Sequence, residues 1–529
     1  MSSNSLNNSV AYTNGRVYTI NSQAPWAEAF IVAQDGIFAE VGTTAEIEAK
    51  AKQEHLVVYD LRGQFVMPGI HDAHVHMLMS AIAITSHTRL PMEGLNSTNV
   101  AEELKKGSCL CKYAHINQDW LVAHAYMVEN FNRESLDKDY PDTPVVIRGG
   151  AAHSAFLNTE ALKRTGYNIA SEPDSQGAWY RRDEQGHLTG EMAENAMNKV
   201  LTQLPQPGLS HVKRVLKEAQ YMLHRAGVTS CQEASANTLM LDGLRELERE
   251  GALKLDMHTH IVYAPDWLAE EPASTLHSLI DNAAFHASPH ISTRFVKIIL
   301  DGVPLPPYYT HAGLLPDSTA DTSKLFISNI SDVVAKYDAQ GLTLKVHCTG
   351  EGSTRLTLDA IEAARKRNPN GPRHEIAHCS NVHDDDYKRF RPLNVTAEMS
   401  PAFFFTHPIT AASNGLMDWN FPKMLAADAH VTIGSDWGAG ESPDILPCLG
   451  GIVDGVGGGD RGVGGARICR MLTLAGAEAV GRESEFGSIE VGKRANFIAV
   501  NNDLSVGEFE GARVLTTWFE GEIVYEAGK

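Results

Sequence analysis

FVMPGIHDAHVHM, residues Phe65–Met77, begins as an apolar run, turns through Pro68–Gly69 and ends on two histidines one residue apart. Side chains of a strand alternate between its faces, so Asp72, His74 and His76 share one face. Two protonated imidazoles at that separation repel each other. Two neutral ones can share a cation, and neutral imidazole is the commonest metal ligand. An H-x-H pair also fits two ordinary polar strand residues, so the rest of the chain has to decide.

Seven further short apolar runs follow: GVTSCQEA (227–234), LDMHTHIVYA (255–264), FVKIILDG (295–302), LTLKVHCTG (342–350), HEIAHCS (374–380), NVTAEMSP (394–401) and HVTIGSDW (430–437). Helical segments such as SHVKRVLKEAQYMLHRAG (210–227) and TRLTLDAIEAARKR (354–367) fall between several of them. Alternation of short apolar strands with helices is the signature of a parallel sheet, and eight such strands predict an α/β fold, a (β/α)8 TIM barrel.

Both ends of the chain read differently. Residues 1–65 and 485–529 alternate short strands with turns, and we expect them to join as one small β-sandwich, since chain termini often lie close together. Asn14-Gly15 and Asp35-Gly36 suit tight hairpin turns, and Glu520-Gly521 sits between two apolar strands. The barrel then spans 66–484. About 110 residues, roughly 88–200, separate its first two strands. A structureless loop of that size is improbable. With its strand-like PVVIRGG (144–150), this stretch is expected to be an inserted lid-like subdomain over the barrel mouth.

The 529 residues carry a formal net charge of −20, which argues against nucleic acid or an anionic membrane surface as the main partner. The composition, 43% hydrophobic and 21% charged, is that of a soluble globular protein able to bury a large core. The polar start MSSNSLNNSVAYTNG has neither a basic n-region nor an apolar run, and no stretch is long and apolar enough to span a bilayer. The expectation is a cytoplasmic protein with a small-molecule substrate, and a homo-oligomer is compatible with it. Seven cysteines in this length make no disulfide framework. No C-x-x-C zinc pattern occurs, and Cys109-x-Cys111 reads as incidental.

Active sites of such barrels sit at the C-terminal ends of the strands. There the sequence places His74 and His76 (strand one), His347 (strand five), His378 (strand six) and Asp436 (strand eight), with Lys297 inside strand four between Val296 and Ile298. A lone strand-end His is more often structural, and a lone Asp is often an N-cap. Lysine is almost never buried unpaired, so a neutral or modified Lys297 suits its apolar flanks better than a bare ammonium. Together the six are the residue types of a two-metal hydrolytic site. His153 in the insertion, Trp437, Tyr308 and Phe403 are substrate-binding candidates, with packing as the alternative for the aromatics. Cys348, Cys379, His258 and His260 read as structural. Gly457, Gly459 and Gly462 follow no strand directly, so DGVGGGDRGVGGARIC (454–469) reads as a mobile loop after strand eight rather than a dinucleotide fingerprint.

The chain resembles the amidohydrolase superfamily, and within it the YtcJ-like branch (amidohydrolase family 3). The resemblance rests on PGIHDAHVH (68–76), VKIILDG (296–302), VHCTGEGSTRLTLDAIE (346–362), RHEIAHC (373–379), TIGSDW (432–437) and GSIEVGKRANFIAV (487–500), in the family's order, with GGAAHSAFLNTEAL (149–162) similar to the branch's insertion. It implies His74 and His76 as ligands of the more buried metal and His347 and His378 as ligands of a second. It also implies Lys297 as a lysine that CO2 can carboxylate to bridge the two, and Asp436 as the aspartate that touches metal and handles the proton. Two departures stand out. The family's H-A-I-G-D reads His347-Cys-Thr-Gly-Glu351 here, and Ala377 replaces the Glu before the strand-six histidine. They spare the ligands and bear on the substrate range.

The expected activity is metal-dependent hydrolysis of a C–N bond in an amide, N-acyl, N-formyl or cyclic amide substrate. Two divalent ions, zinc first, would activate water to hydroxide, with Asp436 as general base and then general acid. Deamination or metal-dependent decarboxylation within the same superfamily is the alternative, and a non-catalytic regulatory relative is a weaker one, because such relatives typically lose ligands.

Overall fold

The computed structural model describes residues 9–91, 93–108, 117–440 and 442–529. Cys109 and Cys111 lie outside the described residues.

Eight parallel strands follow one another round a barrel in chain order: β1 (Ile70–Val75), β2 (Val228–Ala236), β3 (Asp256–Ala264), β4 (Ile291–Ile299), β5 (Thr343–Cys348), β6 (His374–His378), β7 (Val395–Met399) and β8 (His430–Ile433). Closure between β8 and β1 comes just past the end of β8, where the Asp436 amide donates to the His74 carbonyl (2.8 Å) and the His76 amide to the Trp437 carbonyl (2.9 Å). A barrel with helices outside buries both faces of its strands, and β1, β2, β5, β6 and β7 are buried along their whole length. The crossover helices supply the outer layer through one apolar stripe each. Leu209–Arg225 buries Val212, Val215, Leu216, Ala219 and Leu223, a spacing of three and four residues that keeps one face inward. Burying each Val or Leu contributes about 1.5–3 kcal/mol.

The two ends of the chain share a sheet. Phe65–Pro68 pairs antiparallel with Phe497–Val500, inside a six-stranded sheet that also holds Arg16–Tyr18, Trp26–Ala27, Val514–Phe519 and Glu522–Glu526. A four-stranded sheet (Val10–Thr13, Ala29–Val32, Phe38–Gly42 and Val57–Asp60) lies against it. Tyr12, Phe30 and Phe38 from one sheet and Phe497 and Trp518 from the other fill the space between them. Because Phe65–Pro68 runs straight on into β1, the sandwich fixes where the first metal-type histidines begin.

Two sequence expectations need correction. Asn14-Gly15 makes no hairpin: Val10–Thr13 and Arg16–Tyr18 belong to different sheets, and the chain crosses between them there. Asp35-Gly36 and Glu520-Gly521 do join antiparallel neighbours. Residues 454–469 are not a mobile loop. They form most of two helices, Val453–Gly457 and Arg461–Met471. Gly458 ends the first in the left-handed conformation, and the Asp460 side chain caps the second by accepting from the Val463 amide.

The insertion has a sheet of its own, six strands in the order Ala178–Arg182, Leu188–Glu194, Ser154–Leu157, Val145–Gly149, Leu121–His124, Thr88–Arg89. Its inner side packs Met192, Met197 and Val200 with Trp267, Leu268 and Ile299 of the barrel. Among the described residues, no helix is long and apolar enough to cross a membrane.

Candidate metal centre

The barrel floor is charged. Lys297 of β4 and Lys345 of β5 stand opposite each other in register, both buried, with Glu375 of β6 and Glu398 of β7 beside them. Lys345 Nζ donates to the Ala73 carbonyl and lies 3.7 Å from Glu375 Oε2. Burial and then the charge of Lys345 lower the Lys297 ammonium to about 8, far below an ordinary lysine. Glu398 is raised by burial to about 8.

Above this floor the predicted ligands converge. Asp436 Oδ1 is 3.2 Å from His76 Nε2 and 3.6 Å from His74 Nε2, and Asp436 Oδ2 is 4.0 Å from His378 Nδ1. Lys297 Nζ is 3.2 Å from His74 Nε2. The His378 ring stands 4.9 Å from that of His74 and 4.3 Å from that of His347. All six residues therefore meet in one place. One donor atom each from His74, His76 and Asp436 fits within 4.8 Å, while His347 and His378 stand to one side. Backbone strain marks the same place: His378, Cys379 and Asp436 all have positive φ (75°, 47° and 49°), a conformation that non-glycine residues adopt at a cost of order 1–3 kcal/mol.

The outward nitrogens decide what the inward ones can do. Ser235 Oγ donates to Glu233 Oε1 (2.7 Å), so at its other contact it accepts from His76 Nδ1 (2.9 Å). His74 Nδ1 faces Glu398 Oε2 at 2.7 Å, and His347 Nε2 donates to the Gly302 carbonyl at 3.1 Å. Each partner fixes the orientation of its ring. His76 Nε2 then faces a carboxylate oxygen of Asp436 at 3.2 Å. Among the described residues, buried His378 Nε2 has no hydrogen-bond partner. Burial holds His74 and His347 well below the usual imidazole range, and His378 at about 3, so all three stay neutral. Burial pushes the Asp436 carboxyl up, but the His76 contact and the charge of Lys297 outweigh it and keep it ionised. Neutral imidazoles, an ionised carboxylate and an orphaned buried nitrogen together fit a divalent cation.

The amidohydrolase family model matches residues 57–525. The chain belongs to the amidohydrolase family. It is similar to the N-substituted formamide deformylase of Arthrobacter pascens, 25% identical over 97% of both chains. It is also similar to the YtcJ protein of Bacillus subtilis (strain 168), 21% identical over 74% of this chain and 72% of that one. An uncharacterized metal-dependent hydrolase from Pyrococcus furiosus shares its fold, with a TM-score of 0.67 and 21% identity over 94% of this chain and 100% of that chain.

As an amidohydrolase the chain is a hydrolase acting on carbon–nitrogen bonds, and the walls around its centre set what enters. A cavity of about 40 Å³ adjoins the centre. His153, His347, His378 and Asp436 line it, with Leu305, Phe404, Met417 and Trp419 as its apolar part. His153 is thus on this wall. Phe403 is not: it packs on Phe404 (4.1 Å between centroids) and against Gly440, and Phe404 takes the wall position. The Tyr308 hydroxyl donates to Glu191 Oε1 (3.0 Å) and its ring meets Trp179, which ties it to the insertion sheet. Trp437 is fully buried and lines a neighbouring cavity of about 270 Å³ with Met79, Ile84, Leu90, Tyr126 and Arg148. His258 and His260 sit in the barrel interior, below the ligands, and Cys348 and Cys379 belong to the apolar core.

Glu398, Lys345, Ser235 and Glu233 escaped the sequence reading. A glutamate in the apolar run NVTAEM carries the same signal as Lys297, a charge where burial is expected. Ser235 had no signal, because only the pairing of β2 with β1 brings it to His76.

Proposed function

We propose that this amidohydrolase cleaves the C–N bond of an N-formyl or N-acyl amine, using divalent metal held by His74, His76, Asp436, His347 and His378. The observation that carries this reading is the convergence of buried His74, His76 and Asp436, one donor atom of each lying within 4.8 Å of the others. The choice of an N-formyl or N-acyl amine draws on the similarity to the formamide deformylase. A bound divalent ion lowers the pKa of water toward neutrality and polarises a carbonyl oxygen. Zinc suits the mixed N/O donor set, and the two groups of donors suit two ions.

The chain's own residues do the rest. Asp436, ionised and facing the centre, takes the proton of the attacking water and returns it to the leaving nitrogen as the C–N bond breaks. Lys297, with a pKa lowered to about 8, has a larger neutral fraction than an ordinary lysine and is open to CO2. A carbamate there would turn a buried positive charge into an anionic donor for both ions. Glu398 and Ser235 hold the His74 and His76 rings in place. The apolar wall of Phe404, Met417 and Trp419 excludes water from the reacting carbonyl.

Metal per chain, measured by elemental mass spectrometry on protein purified without chelator, tests the reading together with amine release from N-formyl and N-acetyl alkyl and aryl amines. Two equivalents, falling in Lys297→Ala, with chelator-sensitive amine release, support it. One equivalent, with ring deamination or decarboxylation in place of amide cleavage, replaces it with the alternative chemistry. No metal and no rescue by added metal sinks it.

A further inference from the structure

A second cavity shares a wall with the metal centre. It measures about 270 Å³, against about 40 Å³ for the one lined by His347, His378 and Asp436. Ala439 lines both, and its neighbours divide between them: Asp436 borders the small cavity, and Trp437, Gly438 and Gly440 border the large one. Gly438 lies directly on a metal-type histidine, since a Cβ there would come 3.1 Å from His76 Cβ. On the insertion side, Ala152 borders the large cavity and His153 the small one.

We propose that the large cavity receives the substituent on the amine nitrogen of the substrate, and that this substituent is an apolar, aryl-sized group ending in a carboxylate held by Arg148. Arg148 is then a specificity-determining residue. The proposal deepens the C–N hydrolase reading and rests on it for the reaction.

Four observations carry it. The first is size. The space of about 40 Å³ beside the metal-type donors suits an acyl group as small as formyl, so the rest of the substrate needs room elsewhere. An engineered apolar cavity of about 150 Å³ holds benzene, so about 270 Å³ suits a ring with a short extension. The second is the wall. Met79, Ala83, Ile84, Leu90 and Trp437 make the body of the cavity apolar.

The third is charge. Arg89 and Arg148 line the cavity, and among the described residues no Asp or Glu does. In a chain of net charge −20 this is a local positive field, which draws an anion. The fourth is an unused donor edge. Arg148 sits on the buried insertion strand Val145–Gly149 and is only 3% exposed. Its Nη1 donates to Glu270, which borders a different cavity. Among the described residues its Nε has no hydrogen-bond partner, and its Nη2 meets only the Met79 sulfur, at 3.7 Å. Nε and Nη2 are parallel donors, the pair with which a guanidinium grips a carboxylate. Arginine is charged at every working pH, so this edge needs no proton from elsewhere. Arg89 and Arg148 set against Glu270 leave one positive charge for a carboxylate to balance. A pair that merely fastened the insertion to the barrel would leave a buried, charged donor unsatisfied, at the desolvation cost of that group.

The test uses the metal-loaded full chain. It compares kcat/KM for the formamide of 4-(aminomethyl)benzoate with that for the formamide of benzylamine, in wild type, Arg148→Met, Arg148→Met/Glu270→Gln and Ala83→Leu. Wild type is expected to favour the carboxylate substrate at least tenfold. Arg148→Met is expected to lower that preference by about 10–100-fold, the range for hydrogen bonds between charged groups. The preference is a ratio, so lost metal does not mimic its loss. The double variant should repeat the result without stranding the Glu270 carboxyl, which separates the lost bond from a disturbed insertion. Ala83→Leu fills the cavity from the helix Met77–Ser86. It should lower kcat/KM for both aryl formamides at least tenfold relative to N-methylformamide. No preference in wild type, or a preference that survives Arg148→Met and the double variant, overturns the proposal and leaves the C–N hydrolase reading in place. So does an Ala83→Leu enzyme that uses aryl and methyl formamides in the wild-type ratio. If wild type hydrolyses no formamide, the hydrolase reading fails by itself, and binding of 4-methylbenzoate, measured by calorimetry, tests the cavity. At least tenfold weaker binding in both Arg148→Met/Glu270→Gln and Ala83→Leu supports it. Any smaller effect, as a carboxylate bound at the metal would give, or no binding in wild type, overturns it.

Discussion

Glu398 Oε2 lies 2.7 Å from His74 Nδ1, so the seventh strand of the barrel aims the histidine of the first. Both side chains are fully buried. The contact fixes the ring orientation and leaves Nε2 toward the centre.

Glu398→Gln keeps the shape but removes the carboxyl group that orients His74. Metal affinity is expected to fall by about 10–100-fold, the usual cost of losing a group that orients a metal-binding histidine. Competition with a metal-sensitive chelator dye measures it. An unchanged affinity would show that the ring is held by packing alone.

Asp436→Asn replaces the ionised carboxylate that faces His74 and His76 with a neutral group of equal size. A fall in kcat of about 10²–10⁴-fold is expected, with a far-ultraviolet circular dichroism spectrum like that of wild type. Steady-state kinetics on the substrate found by the amine screen decides it.

Gly434 is a packing test. A Cβ there would come 2.6 Å from His74 Cβ and 2.7 Å from the His74 amide nitrogen. Because the clash falls on backbone, relief requires β1 and the turn after β8 to separate. Gly434→Ala is expected to cost about 1–3 kcal/mol and to reduce metal retention. Thermal unfolding and metal per chain after dialysis report the two effects.

Acid should weaken the fold through histidines buried in neutral form. His224, on the crossover helix before β2, is lowered by burial to about 4, against the pull of its bond to the Lys254 carbonyl (2.8 Å). The folded state thus disfavours the charged ring. Its contribution is complete above pH 6.5 and is lost as pH falls from 6.5 toward 4, reaching about 3 kcal/mol once protonation is complete. Urea unfolding at pH 7 and pH 4.5 should show a loss for wild type about 2 kcal/mol larger than for His224→Gln. Equal losses would place the acid sensitivity elsewhere.

The sequence by itself determined the barrel and the identity of its strand-end groups. Periodicity is a local property: eight apolar runs separated by amphipathic helices leave few other ways to bury the strands, and His74, His76, His347, His378 and Asp436 are each read from their place at the end of a run. Lys297 was legible because a lysine among Phe295, Val296, Ile298 and Ile299 contradicts its surroundings. What only the tertiary structure decided is which atoms meet. Ser235 and Glu398 reach their histidines across 159 and 324 residues of chain, and no local pattern encodes such a contact. The choice of Phe404 over Phe403 for the wall follows from a short 3-10 turn, Ala402–Phe404, whose rotation the sequence FFF does not specify. The pairing of His153 with Glu194 depends on the register of two insertion strands 41 residues apart and on the space left by Gly302. Side-chain chemistry along the chain set which groups were available to the site. Long-range strand register, paid for by burial of the whole barrel, set which nitrogen of each faces the centre.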